Sequence, residues 1–190
     1  MIKLWFQLLW ISLVLLCGCG TPDSFPHPRA YPRIDLPLHA YKKITPKDCP
    51  FSLNLPVKGE LTNMAIEDSC KMDVYFPGFE YYWHFTYRNI PQSGKPRRYH
   101  EEEYLKLVMK HAQKLDYLNE QKIETPNGWG TMYELKGHIG SPVQLLFGDS
   151  THLIMTSFYF QEAVNQDSLK PLIVYVTEEL EEMVRSVEWK

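Results

Sequence analysis

Met72-Asp73-Val74-Tyr75-Phe76-Pro77-Gly78-Phe79-Glu80-Tyr81-Tyr82-Trp83-His84-Phe85-Thr86-Tyr87 is the stretch on which the fold turns. Residues 72–76 and 82–87 each alternate with period two, as half-buried strands do. Pro77-Gly78 supplies the turn between them, so the segment reads as a β-hairpin. The pattern repeats on both sides. Upstream, Phe51-Ser52-Leu53-Asn54-Leu55 alternates in the same way. Downstream, strands are predicted at 121–125 and 130–136 around Pro126-Asn127-Gly128, and at 143–147 and 153–160 around Gly148-Asp149-Ser150-Thr151.

Two helices interrupt the strands. One is predicted from Glu101 to about Asn119, where Tyr104, Leu105, Val108, Met109, Ala112, Leu115 and Leu118 recur at three- and four-residue spacing. Glu101, Glu102 and Glu103 fall in its expected first turn, where negative charge complements the helix dipole. The other runs from about Leu169 to Val187. Ser168 is its expected N-cap and Pro171 lies in its first turn. Its apolar stripe is Leu172, Ile173, Val176, Leu180, Met183, Val184 and Val187, and Glu178, Glu179, Glu181 and Glu182 are expected on a solvated face. Hairpins, a helix, more hairpins and a terminal helix make an α+β domain, an antiparallel β-sheet packed with two main helices.

The N-terminus decides where that domain lives. Lys3 precedes a mostly apolar run from Leu4 to Leu16. About a dozen residues are too few to span a bilayer, which takes about 20. The run reads as a secretory signal peptide over 1–18, closed by Leu16-Cys17-Gly18-Cys19. Small Gly18 directly before Cys19 is the pattern cut by lipoprotein signal peptidases, which leave an acylated cysteine at the new N-terminus. Two or three acyl chains anchor stably where one binds only marginally. Residues 19–50 then hold half of the fourteen prolines and read as an acylated, extended tether. Tyr31, Ile34, Leu36, Leu38 and Tyr41 give that tether apolar handles, so part of 30–42 is expected to lie along the globular domain, assigned to 51–190.

Charge and cysteines narrow the function. The formal net charge is −3, which excludes the basic face of a nucleic-acid binder. With Cys17 removed and Cys19 acylated, Cys49 and Cys70 are expected to form one disulfide in an oxidising compartment. No metal-ligand spacing, phosphate loop or dinucleotide fingerprint is present, so no metal and no cofactor are expected. Asp149-Ser150-Thr151-His152 gathers triad residue types in a hairpin turn, where neighbouring side chains diverge and catalysis is not expected. His111 is expected at the boundary of the central helix, bonded to a carbonyl or carboxylate. The aromatic strand carries rings on both faces. One face must enter the core, and Tyr81, Trp83, Phe85 and Tyr87 form the candidate binding surface unless a second layer buries them.

Several motifs in order resemble the gliding motility lipoprotein GldD family. They are Arg33-Ile34-Asp35-Leu36-Pro37, Cys49-Pro50-Phe51, Phe76-Pro77-Gly78-Phe79, Lys110-His111-Ala112, 137–144 (Gly-His-Ile-Gly-Ser-Pro-Val-Gln), Asp149-Ser150, Phe158-Tyr159-Phe160, 165–171 and Glu188-Trp189-Lys190. The resemblance implies a Bacteroidota envelope lipoprotein needed for gliding, linked to type IX secretion, with no catalytic residues to carry over. Its implied partners are the membrane, through the anchor, and proteins of the gliding and secretion machinery. The pattern also resembles PsbP-like α/β sandwiches. Gly-Thr-Pro-Asp-Ser after Cys19 lacks an acidic surface-export cluster, so the chain is expected to face the periplasm from the outer membrane. Two functions follow as expectations: a non-enzymatic assembly or stabilising factor, or a periplasmic module for a small or glycan ligand.

Cys19→Ala should leave an unacylated precursor, checked by metabolic labelling with a fatty acid. Undiminished labelling would place the anchor on another residue.

Overall fold

The computed structural model describes residues 34–47, 49–64, 70–110, 115–160 and 166–190. The leader, Cys19, the tether up to Arg33, and His111 with Ala112 lie outside the described residues. Within them, the alternation of 72–87 folds as predicted. Strand β4 (Lys71–Phe76) pairs antiparallel with β5 (Tyr81–Asn89), setting Asp73 opposite His84 and Tyr75 opposite Tyr82. The connecting turn closes with Glu80 at a left-handed φ of 52°.

The remaining elements are β1 (Tyr41–Ile44), β2 (Phe51–Pro56), β3 (Glu60–Met64), β6 (Leu115–Thr125), β7 (Gly128–Gly137), β8 (Val143–Gly148), β9 (His152–Phe160) and β10 (Glu188–Trp189). The helices are α1 (Ile90–Ser93), α2 (Arg97–Met109) and α3 (Gln166–Arg185). Seven strands form one antiparallel sheet in the order β3-β4-β5-β9-β8-β7-β6. A small second sheet has the order β1-β2-β10.

Strand alternation sends every second side chain to each face of the large sheet. On one face Val74, Trp83, Phe85, Leu145, Phe147 and Phe158 meet two partners. These are Phe51, Leu53 and Leu55 from β2, and the α3 stripe of Leu172, Val176, Leu180, Met183 and Val184. All seven residues predicted for that stripe are buried. On the opposite face α2 covers part of the sheet. There Tyr104 and Val108 pack on Tyr133, Leu135, Leu146 and Leu153, and the Tyr104 hydroxyl donates to the Thr156 carbonyl at 2.8 Å. A disulfide joins Cys49, just before β2, to Cys70, just before β4. Closing a loop of that length stabilises the fold by about 3 kcal/mol in the chain-entropy picture.

The fold corrects four expectations. The central helix spans Arg97–Met109, and Leu115 and Leu118 belong to β6, where Leu118 sits opposite Leu135. A register shift between Leu115 and Tyr117 brought two strand leucines into apparent helical phase. The helix also starts earlier, after Pro96, so Glu101, Glu102 and Glu103 stand one turn in. They hold Arg97, Arg98 and the Tyr99 hydroxyl at 2.8–2.9 Å. Ser168 lies inside α3 rather than capping it, because the helix already runs from Gln166, and Pro171 is interior. Finally, the compact unit begins at Ile34 rather than Phe51: β1 pairs with β2, and Ile34, Leu36 and Ile44 pack against the core.

Trp83, fully buried, and Tyr82, half-exposed, are neighbours on opposite faces of β5. Trp83→Ala should cost about 3–5 kcal/mol in urea unfolding, whereas Tyr82→Ala should cost about 1 kcal/mol or less.

Candidate functional site

The aromatic strand presents a different face from the one the sequence nominated. Tyr81, Trp83 and Phe85 are buried, with Tyr87 partly so, because α3 and β2 close over that side of β5. Trp83 packs on Phe76 and Phe85 with ring centroids 5.0 and 6.0 Å away. Three of the rings are core and Tyr87 packs against it, so they do not form an open surface. Tyr81 lines a groove. The opposite face of the same strands carries a half-exposed ladder, Tyr75, Tyr82 and Tyr159, with centroids 4.7 and 5.4 Å apart. Beside it, Asp73 is hydrogen-bonded to the His84 ring.

The 149–152 turn is structural. The Asp149 carboxylate accepts from the Thr151 and His152 amides at 2.7 and 2.6 Å. Burial opposes its ionisation, yet these backbone donors and the His152 side chain hold it below the usual carboxylate range. The His152 ring stacks on Trp189 at 4.9 Å and reaches Asp149, while Ser150 is exposed. Among the described residues, the carboxylate that His152 reaches is its neighbour Asp149. Among the described residues, no group of three or more His, Cys, Asp or Glu is placed to hold a metal ion.

What the sequence did not reveal is a latch on the N-terminal strap. Residues 34–40 carry no regular secondary structure before β1, and His39 reaches α3. Its Nδ1 lies 2.5 Å from Glu179 Oε1, and its Nε2 3.2 Å from Glu178 Oε2. Glu179 was expected on a solvated face but is 0% exposed. It lies three and four residues from Val176, Tyr175 and Met183, so the helix turn carries it to the packed side. The His39 ring also stacks on Tyr175 at 4.6 Å. Phenols surround this carboxylate. Burial, then Glu179, Glu182 and Glu178, push the Tyr41 hydroxyl up to about 12. Burial, with Glu179 and Tyr175, raises Tyr81, and burial with a hydrogen bond to Glu179 raises Tyr175. All three phenols therefore stay protonated beside the Glu179 side chain, to which Tyr175 is hydrogen-bonded. No local motif signals the latch, because His39 and Glu179 stand 140 residues apart.

The strap forms one wall of a groove of about 570 Å³. Its other walls come from the β2–β3 turn at Val57 and Lys58, the β4–β5 turn at Phe79, and Tyr175 of α3, with Tyr81 at the base. Apolar residues stand open on its rim: Leu38 is 93% exposed and Val57 50%. A groove of this volume suits a side chain cluster of a partner or a small apolar ligand.

Removing His39 leaves the Glu179 carboxylate buried without its nearest partner. His39→Ala should cost about 1–3 kcal/mol, below the full penalty for breaking a buried pair because the imidazole is itself more than a third exposed. It should also speed tryptic cleavage at Lys42 and Lys43, read by limited proteolysis and denaturant unfolding. Unchanged stability and cleavage would show that the strap is held by β1 alone.

Comparison with known proteins agrees with the motif pattern. No curated protein matches the chain. Among solved structures, the solution structure of cyanobacterial PsbP (CyanoP) from Synechocystis is similar at 8% identity and a TM-score of 0.46. That likeness covers 84% of this chain and 98% of the other. The family model described as gliding motility lipoprotein GldD matches residues 21–189, nearly the whole chain. The chain belongs to the gliding motility lipoprotein GldD family.

Proposed function

We propose that this lipoprotein is a non-enzymatic assembly or stabilising factor, held by acylated Cys19 on the periplasmic face of the outer membrane. It works through contacts with proteins of the gliding machinery and of type IX secretion. The observation that carries this reading is the pair of open apolar residues, Leu38 and Val57, on the rim of a groove beside the entry of the tether. Exposed apolar side chains gathered at one place gain free energy only when something covers them. The bonding of Asp149 to its own turn and the stacking of His152 on Trp189 support this reading. A second reading, a module for a small apolar ligand, is favoured by the volume of the same groove.

Leu38→Asp combined with Val57→Asp places charge on the rim without touching the core. The double variant should remain anchored and abundant, yet lose gliding and type IX secretion. It should also lose the machinery components recovered by mild crosslinking of the tagged wild type in native membranes. Full motility in an abundant, correctly anchored double variant would remove the groove from the function.

A further inference from the structure

The two edges of the seven-stranded sheet are built differently. A free edge presents unpaired N–H and C=O groups and invites another strand, so edges are commonly kept short, bulged or covered. The β3 edge fits that description: five residues, with a register shift between Leu61 and Asn63. The β6 edge is long, and its one register shift, between Leu115 and Tyr117, lies at its very start. It has eleven residues, no proline, and unbroken pairing with β7 from Tyr117 to Thr125. Among the described residues, β7 is the only strand paired with it. Tyr117 beside that edge is 56% exposed.

The side chains on β6 specify what could join it. Glu120, Gln121 and Lys122 are consecutive and exposed at its centre; Gln121 donates to Glu181 of α3 at 3.2 Å, and Lys122 gives one of its three N–H donors to the Thr131 hydroxyl at 2.9 Å. Two β6 strands running antiparallel about a two-fold axis through Gln121 set Glu120 of each opposite Lys122 of the other. That gives two cross-strand ion pairs from one sequence. Moving the axis by one residue, to Lys122, places Lys122 against itself and Glu120 against Glu124, which is repulsive. Moving it to Ile123 pairs Lys122 with Glu124 but carries Glu120 onto Pro126, beyond the strand end. Moving it the other way, to Glu120, sets Glu120 against itself, and moving it to Asn119 sets Lys122 against Asp116, which falls in the register shift between Leu115 and Tyr117. Charge and strand regularity together therefore favour the Gln121 register over its neighbours.

We infer that β6 is a self-association edge: a second copy of this chain adds to it antiparallel, centred on Gln121. The two seven-stranded sheets become one continuous sheet across an isologous interface, in which each residue contact occurs twice. Main-chain hydrogen bonds supply the attraction, and the Glu120–Lys122 pairs fix the register. The inference is independent of the groove beside the strap, which lies against β2, the β4–β5 turn and α3.

Gln121 is the position that meets itself across the axis. Opposed Cα atoms of an antiparallel pair stand about 4.5–5.5 Å apart, within the reach of a disulfide. The test uses the full lipidated chain in native membranes, carrying Gln121→Cys, with mild oxidation and a non-reducing gel. Wild type controls for Cys49 and Cys70, and Glu124→Cys controls for random collision, because its two copies lie about 20 Å apart in this register. A dimer band from Gln121→Cys, weak or missing from both controls, is expected. Adding Lys122→Glu should reduce the band about tenfold by turning two attractive pairs into like-charge pairs, and adding Glu120→Lys as well should restore it. Three results would overturn the inference: no band from Gln121→Cys, a band that ignores charge reversal, or an adduct with a different protein. Loss of groove function with the dimer intact would leave this inference standing.

Discussion

Burial of one face of the seven-stranded sheet beneath α3 and β2 is the constraint from which the rest of the molecule follows. Phe51, Leu53 and Leu55 of β2 enter the same apolar layer as Leu172, Val176, Leu180 and Met183 of α3. That layer takes in the alternate residues of β4, β5, β8 and β9, and so absorbs the most aromatic strand in the chain. Because α3 must lie flat on the layer, its turn also brings Glu179 inside, where a buried polar group needs a hydrogen-bond partner. The strap supplies His39. The position of the N-terminal segment is thus a consequence of how the terminal helix packs.

Much of this architecture was legible in the sequence. Period-two alternation identified the 72–87 hairpin, the 143–160 hairpin and the approach of β2, and α3 declared its whole buried stripe. Ile34 and Leu36 marked the strap as something that lies along the domain, although Leu38, read in the same way, stands almost fully in solvent. Other elements were silent for physical reasons. β1 and β10 are four and two residues long and exist because β2 offers hydrogen bonds, not because their own composition favours strand. The 101–119 segment was misread because helical spacing continued by coincidence through Leu115 and Leu118.

The site was less legible than the fold. Periodicity tells which side chains share a strand face but not which face the second layer covers. The aromatic side of β5 with Trp83 and Phe85 was nominated as surface, and the accessible tyrosines are Tyr75, Tyr82 and Tyr159 of the other side. The groove and its latch join segments from both ends of the chain, so no local window contains them. The disulfide was readable because the expected export signal would leave two cysteines with few alternatives.

The disulfide has a mechanical consequence in a lipoprotein that serves a moving cell surface. A pull on the chain from its N-terminal side would meet the strap at His39 first. β1 then runs away from that point, with Tyr41 opposite Pro56 and Ile44 opposite Leu53, so a pull peels it from β2 one rung at a time, like a zip. Peeling reaches Cys49 and stops, since a covalent link passes the force directly to Cys70 at the head of β4. The strap can come away as an extensible lead while β2, α3 and the large sheet beyond the link keep their packing.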